Sequence, residues 1–267
     1  MIIKVVKEYN KSEYDNIIKL FGDSHCLCFC GSSIQNKYLD IEYNNKKILV
    51  INYNQDSVSI SGLNKEKSKL GYNKRIVKNI ENDKKTFHLF KLGQVDIEYV
   101  YYHKLLNKKE NLSKEQFYTN IISQYLDFLQ SLHVNIIVCG SNLPGLPDIK
   151  SNNNYLASVI NIDISKIEKL NLSLQDKIKD VINFNNKLKM ECIKRGIIYF
   201  DLIDESLEVK DGYYSLKNIF CEGALHYKGG NGYVEQKLND EMNYINNDKY
   251  KHTYHTFLKK CLDTLLN

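Results

Sequence analysis

The stretch Asn16-Ile17-Ile18-Lys19-Leu20-Phe21-Gly22-Asp23-Ser24-His25 decides how the rest of this sequence is read. Ile17–Phe21 is short and rich in branched and aromatic residues, the pattern of a buried strand. Gly22-Asp23-Ser24 then ends it with residues suited to a tight turn. A serine just after a strand and before a helix can expose its hydroxyl at the sheet edge. The helix start beyond it offers unpaired N–H groups and a positive dipole end. A nucleophile that generates an oxyanion needs that surrounding. On local pattern alone, a helix N-cap is the commoner role for such a serine.

Further strand-like runs lie at Ser57–Ile60, Phe87–Leu92, Val134–Cys139 and Ile197–Leu202, with Ile48–Asn52 as an added strand or hairpin arm. Helical patterns separate them at Asn73–Glu81, Ser113–Leu132 and Leu174–Arg195. Two more are expected at Tyr233–Ile245 and Tyr250–Leu266, the latter within a C-terminal helix over 246–267. Ser113-Lys114-Glu115-Gln116 has capping-box spacing. Strands alternating with helices predict an α/β fold, a parallel sheet with helices on both faces. No internal repeat is visible. Ser141–Asn171 holds both prolines and the Asn152–Asn154 run, and reads as one long irregular stretch, expected to act as a lid.

Composition bounds the function classes. The chain has 267 residues, long enough to bury a core as a single domain over 1–267 without a disulfide or metal staple. At 43% hydrophobic and 26% charged it is neither disordered, collagenous, coiled-coil nor a disulfide scaffold. The net charge of +5 is nearly all lysine, Arg75 and Arg195 being the only arginines. Nucleic-acid readers lean on arginine. The lysines alternate with acids as on a solvated surface, so no nucleic-acid partner is expected. Seven cysteines is an odd number. Met1–Val6 is too short for a signal peptide, and no apolar run approaches the ~18 residues of a membrane span. A cytosolic protein with free thiols and no membrane partner is the expectation.

Each of four strands ends in small or polar residues: Gly22-Asp23-Ser24-His25, Ser61-Gly62, Gly93-Gln94-Val95-Asp96 and Gly140-Ser141-Asn142. Such residues end strands anyway. In an open α/β sheet, however, the ligand crevice lies outside the carboxyl ends of the strands, so the four loops would converge.

The set resembles the motif blocks of the SGNH (GDSL-like) hydrolase superfamily over about Asn16–Ile245. Gly22-Asp23-Ser24-His25 is similar to the first block, Gly62 to the second-block glycine, and Gly93-Gln94-Val95-Asp96 to the third block, Gly-x-Asn-Asp. Leu225-His226-Tyr227 with Gly232-Tyr233 is similar to the last block. The closest likeness is to a divergent GDSH branch associated with glycan modification. The resemblance implies a flavodoxin-like three-layer α/β/α fold with about five parallel strands. It implies Ser24 as nucleophile and His226 as base. The oxyanion donors would be Ser24 N–H and Gly62 N–H, with Gln94 or Asn142. Asp23, His25, Gly93, Asp96 and His103 would bind substrate. Two positions depart from the family pattern. Val95 stands where the third-block Asn donates, and Gly223 stands three residues before His226. Glu222 is the nearest acid, leaving a Ser24–His226–Glu222 triad or a Ser–His dyad.

Other clusters read as structural. Cys26, Cys28 and Cys30 lack paired C-x₂-C spacing and suit small buried side chains, so no metal is expected. His252 and His255 lack a third ligand. Asp96, Glu98, Tyr99, Tyr101 and Tyr102 read equally as a sugar platform or as a helix start with core tyrosines. The functional expectation is serine-dependent acyl transfer, an acetyltransferase acting on a sugar or nucleotide sugar in glycan biosynthesis. No cofactor is tightly bound on this reading, and acetyl-CoA is the candidate acyl donor. A carbohydrate acetylesterase of the same fold and a catalytically silent carbohydrate-binding module are the alternatives.

Overall fold

A computed structural model describes residues 1–30, 38–63, 65, 68, 70–146, 148–220 and 251–266. The main sheet has seven strands: β1 (Ile2–Val6), β2 (Asn16–Gly22), β3 (Tyr38–Tyr43), β4 (Lys46–Asn52), β5 (Thr86–Lys91), β6 (Ile136–Cys139) and β7 (Ile198–Phe200). Their spatial order is β1-β3-β4-β2-β5-β6-β7. The last five in that order, β4-β2-β5-β6-β7, run parallel, as the sequence pattern predicts. β1 and β3 add antiparallel at one edge. Asn44 and Asn45 join β3 to β4, both with positive φ (49° and 60°). A two-residue hairpin turn matched to strand twist needs that conformation, which Asn tolerates.

The second parallel strand is Lys46–Asn52, the run read as an added arm, and not Ser57–Ile60. Ser57 is left-handed (φ 62°), and Ile60 already begins the short helix α2 (Ile60–Leu63). Val58 and Ile60 are both buried. Two apolar residues two apart fit a strand and a helix start equally, so period alone could not choose.

The remaining helices are α1 (Leu27–Cys30), α3 (Tyr72–Asn79), α4 (Tyr101–Leu106), α5 (Lys114–Gln130), α6 (Ile149–Ile160), α7 (Ile164–Glu168), α8 (Leu174–Lys194) and α9 (Ile203–Ser206), with a C-terminal helix, Lys251–Leu266. β8 (Leu207–Lys210) and β9 (Tyr213–Leu216) form a separate hairpin. α5 begins with the expected capping box, Ser113 and Gln116 each accepting from the other's backbone N–H. Its Phe117, Ile121, Ile122, Tyr125, Leu126 and Leu129 are buried. α5 packs on α2 and α8. The C-terminal helix packs on α1 and β7, Phe257 standing edge-on to Phe29 with ring centroids 5.1 Å apart. Each large apolar side chain so buried contributes about 1.5–3 kcal/mol. The expected helix Tyr233–Ile245 lies outside the described residues.

Ser141–Asn171 is not one irregular loop, because α6 and α7 fall inside it. Asp148 caps α6 by accepting from Ser151 N at 2.7 Å. Leu156, Ala157 and Ile160 bury one face. The poor helix propensity of Asn152–Asn154 hid that helix from the sequence reading. Among the described residues no helix is long and apolar enough to cross a membrane.

Counted along the chain, the five parallel strands stand in the order 2-1-3-4-5. The chain leaves β2 first toward β4 on one side and later fills β5, β6 and β7 on the other. The order therefore reverses between β2 and β5, the place where open α/β sheets bind ligands, outside the carboxyl ends of their strands.

Candidate active site

β2 and β5 end side by side, Gly22 opposite Lys91. A Cβ on Gly22 would come within 2.2 Å of both Cys26 Sγ and Lys91 O. Only glycine lets the strand end here with the next turn folded under it. Gly22 N–H donates to Tyr72 Oη at 2.7 Å, and the Tyr72 hydroxyl donates to Tyr53 O at 3.0 Å. Asp23 is extended and caps the tight turn Ser24–Cys26, which runs on into α1. Its Oδ1 accepts from His25 N at 2.9 Å and lies 3.2 Å from His25 Nδ1. The N-cap role that competes for Ser24 is thus held by Asp23. Ser24 is the first residue of the turn and is half-buried.

Electrostatics secure that turn. Burial pushes the Asp23 carboxyl up, but His25 and then Lys91 outweigh it, and its pKa lies below the ordinary carboxylate value. Lys91 is itself buried and donates from Nζ to Gly140 O at 2.7 Å. One lysine therefore sits under the ends of β2, β5 and β6.

The opposite lip is tied by side-chain amides and carboxylates. Gly93 has φ +119°, and a Cβ there would lie 2.6 Å from the Phe184 ring. A π-helical turn, Asp96–Val100, follows. Asp96 is fully buried and accepts from Ile60 N (2.7 Å), Ser61 N (3.0 Å) and Ser61 Oγ (2.6 Å). Burial raises its pKa to about 6 against those three donors. Gln94 clamps the backbone of Asn142: its Oε1 accepts from Asn142 N at 2.8 Å and its Nε2 donates to Asn142 O at 3.1 Å. The other Nε2 hydrogen goes to Glu98 Oε1 at 2.7 Å. Asn185 clamps Ser141 in the same way, through Ser141 N at 2.8 Å and Ser141 O at 2.9 Å.

These contacts sort the oxyanion candidates. Both Gln94 amide hydrogens are engaged. Gly62 N–H donates within its own turn, to Ser59 Oγ at 3.0 Å and Ser59 O at 3.1 Å. Asn142 Nδ2 is buried and has no hydrogen-bond acceptor among the described residues. A buried donor without a partner is costly, so such a group calls for an explanation. Among the side-chain candidates, Asn142 is the one with hydrogens to give.

Four of the expected substrate ligands belong to the framework. Asp23, His25 and Asp96 are buried; Asp23 and Asp96 accept from backbone N–H groups, His25 Nδ1 lies against the Asp23 carboxylate, and Gly93 packs against Phe184. His103 lies on α4, where its carbonyl accepts from Asn107 N and Lys108 N. Tyr101 and Tyr102 are core residues, not a platform; Tyr99 is half-buried and edge-on to Tyr155. Cys26 and Cys28 are buried behind the Ser24 turn. His226 and Glu222 lie outside the described residues. Sequence reading missed Lys91 and Asn185. Each left a signal: a lysine closing an apolar strand, and an asparagine on the apolar face of α8 between Phe184 and Leu188.

No family model matches the chain, and no curated protein matches it. It is similar to several solved structures. One is a GDSL-like lipase from Bacteroides thetaiotaomicron (8% identity, 92% of each chain covered, TM-score 0.46). Another is a member of the lipolytic G-D-S-L family from Veillonella parvula (14% identity, 84% of this chain and 98% of that one, TM-score 0.42). A third is a carbohydrate acetylesterase from Sinorhizobium meliloti (9% identity, 84% and 98%, TM-score 0.44). By its own 2-1-3-4-5 strand order, this chain has a flavodoxin-like α/β/α fold.

Proposed function

We propose that the chain is a serine-dependent acyl-transfer enzyme with Ser24 as nucleophile. One observation carries the reading: Ser24 stands beside the switch point between β2 and β5, on a turn already capped by Asp23. Ser24 Oγ attacks the acyl carbonyl while His226 takes its proton. The oxyanion forms against Ser24 N–H and Asn142 Nδ2. Collapse of the tetrahedral intermediate expels the leaving group, which receives the proton from the imidazolium. The acceptor's hydroxyl then repeats the sequence on the acyl-enzyme and frees Ser24. Asn142 would supply the side-chain donor that Val95 cannot.

On the finer reading the acceptor is the hydroxyl of a sugar or nucleotide sugar, and acetyl-CoA is the donor substrate. Water stands at about 55 M in bulk, so transfer requires an acceptor bound in near-attack geometry.

The test is mass spectrometry of the protein with acetyl-CoA or p-nitrophenyl acetate, then with candidate sugars. We expect one acetyl group on Ser24, discharged faster by a sugar than by water, and none on Ser24→Ala. Rapid hydrolysis that no sugar diverts would make the chain an acetylesterase. No acylation together with measurable glycan binding would make it a binding module.

A further inference from the structure

Asn142 is held by Gln94, and Gln94 by Glu98. Glu98 has a second carboxylate oxygen, Oε2, which is buried and has no geometric hydrogen-bond partner among the described residues, with the Tyr99 side chain beside the carboxylate. Glu98 and Lys177 line one small cavity together with Tyr102, Asp180 and Pro144. Pro144 is two residues beyond Asn142, so this cavity borders the segment that carries Asn142. Lys177 reaches it from α8, is 7% exposed, and holds its ammonium 4.9 Å over the Tyr102 ring.

The charges around the cavity narrow the choice of partner for Lys177. Burial lowers its pKa, Glu98 is the largest charge that raises it, Lys114 lowers it, and Asp180 raises it least. Asp180 is already paired with Lys114 Nζ at 2.5 Å. Glu98 is the carboxylate left to balance a buried ammonium. A carboxylate that faces a cation across the cavity and accepts from Gln94 on its other side favours one way for the Gln94 amide to face. That orientation sets both hydrogen bonds to the Asn142 backbone.

We propose that Glu98 and Lys177 are positioning residues that act through Gln94 to fix Asn142; the role assigned to Asn142 rests on the acyl-transfer reading above. Glu98→Gln keeps the side chain's shape and removes its charge. Lys177→Met keeps most of the apolar stem and removes the ammonium. With p-nitrophenyl acetate we expect each to lower kcat about tenfold at unchanged KM, since an oxyanion donor acts in the transition state. The double variant should lose little more than either single one, because residues that act as a unit are not additive. Hydrogen exchange at the Asn142 amide, read without substrate, should quicken about tenfold in both.

The outcomes separate the two claims. If wild-type Ser24 acylates while both variants keep wild-type kcat and slow Asn142 exchange, the positioning role is wrong and the acyl-transfer reading stands. Lower kcat without faster Asn142 exchange also overturns the positioning role. If the wild type never acylates, the reading falls. Exchange still decides the coupling in that case: faster exchange in both variants supports it, and unchanged exchange overturns it.

Discussion

The two lips of the crevice are built by different physics. The Ser24 lip is set by exclusion: Gly22 leaves no room for a methyl group between Cys26 and the Lys91 carbonyl. The Asn142 lip is set by polar clamps: Gln94 and Asn185 each grip a residue's backbone at both N–H and C=O, and Asp96 gathers three donors. Close packing at Gly22 is all-or-none, although the Asp23 cap next to it responds to charge. Clamps fail one hydrogen bond at a time and respond to charge. For the proposed acyl transfer, a nucleophile that must not move suits the first construction, and a donor that must meet a developing charge suits the second.

The largest effect should come from Gly22→Ala. Two contacts at 2.2 Å involve backbone and a buried thiol, so neither yields cheaply. We expect a loss of about 4 kcal/mol or more, seen as insoluble protein or a collapsed urea midpoint. A wild-type midpoint would mean that this lip is as compliant as the other.

Asn142→Ala should separate chemistry from stability. Its Nδ2 donates to nothing among the described residues, so removing it should move Tm by only a few degrees. We expect kcat to fall by about 10²–10³, the usual loss for one oxyanion donor. Unaltered kcat would return the donor role to the backbone alone.

Asn185→Ala tests the clamp as a structural device. Ser141 N–H and C=O would both lose their partner in a buried site. A loss of about 2–3 kcal/mol is expected by chemical denaturation, with faster hydrogen exchange at Ser141. A loss under about 0.5 kcal/mol would show that water replaces the amide freely.

The smallest expected effect is a pH slope. Native Asp96 binds its proton more tightly than an unfolded carboxylate, its pKa being about 6 against about 4. Its contribution to stability is full below about pH 4 and declines as pH rises through about 6. Asp23 runs the other way, its lowered pKa contributing stability above about pH 4 that is lost as pH falls. Between pH 4.5 and 7.5, the wild-type Tm should therefore fall relative to that of Asp96→Asn. A constant difference would place the titrating proton elsewhere.

Sequence alone determined the alternation of strands and helices, the parallel sheet, and the junction at Gly22–Ser24. These follow from local period and turn chemistry, which any short window carries. It also narrowed the oxyanion side-chain candidates to Gln94 and Asn142, since amides stand out beside a missing third-block Asn. Only the tertiary structure shows that the Gln94 hydrogens are already taken, because that depends on residues 48 positions apart in the chain. The same holds for the second parallel strand, α6 and the buried Lys91. Pairing chose Lys46–Asn52 over Ser57–Ile60, and burial of Leu156 and Ile160 made a helix of an asparagine-rich stretch. A lysine became a framework charge because three strand ends met around it. Local propensity is a property of neighbours in sequence, whereas satisfaction of a buried polar group is a property of neighbours in space.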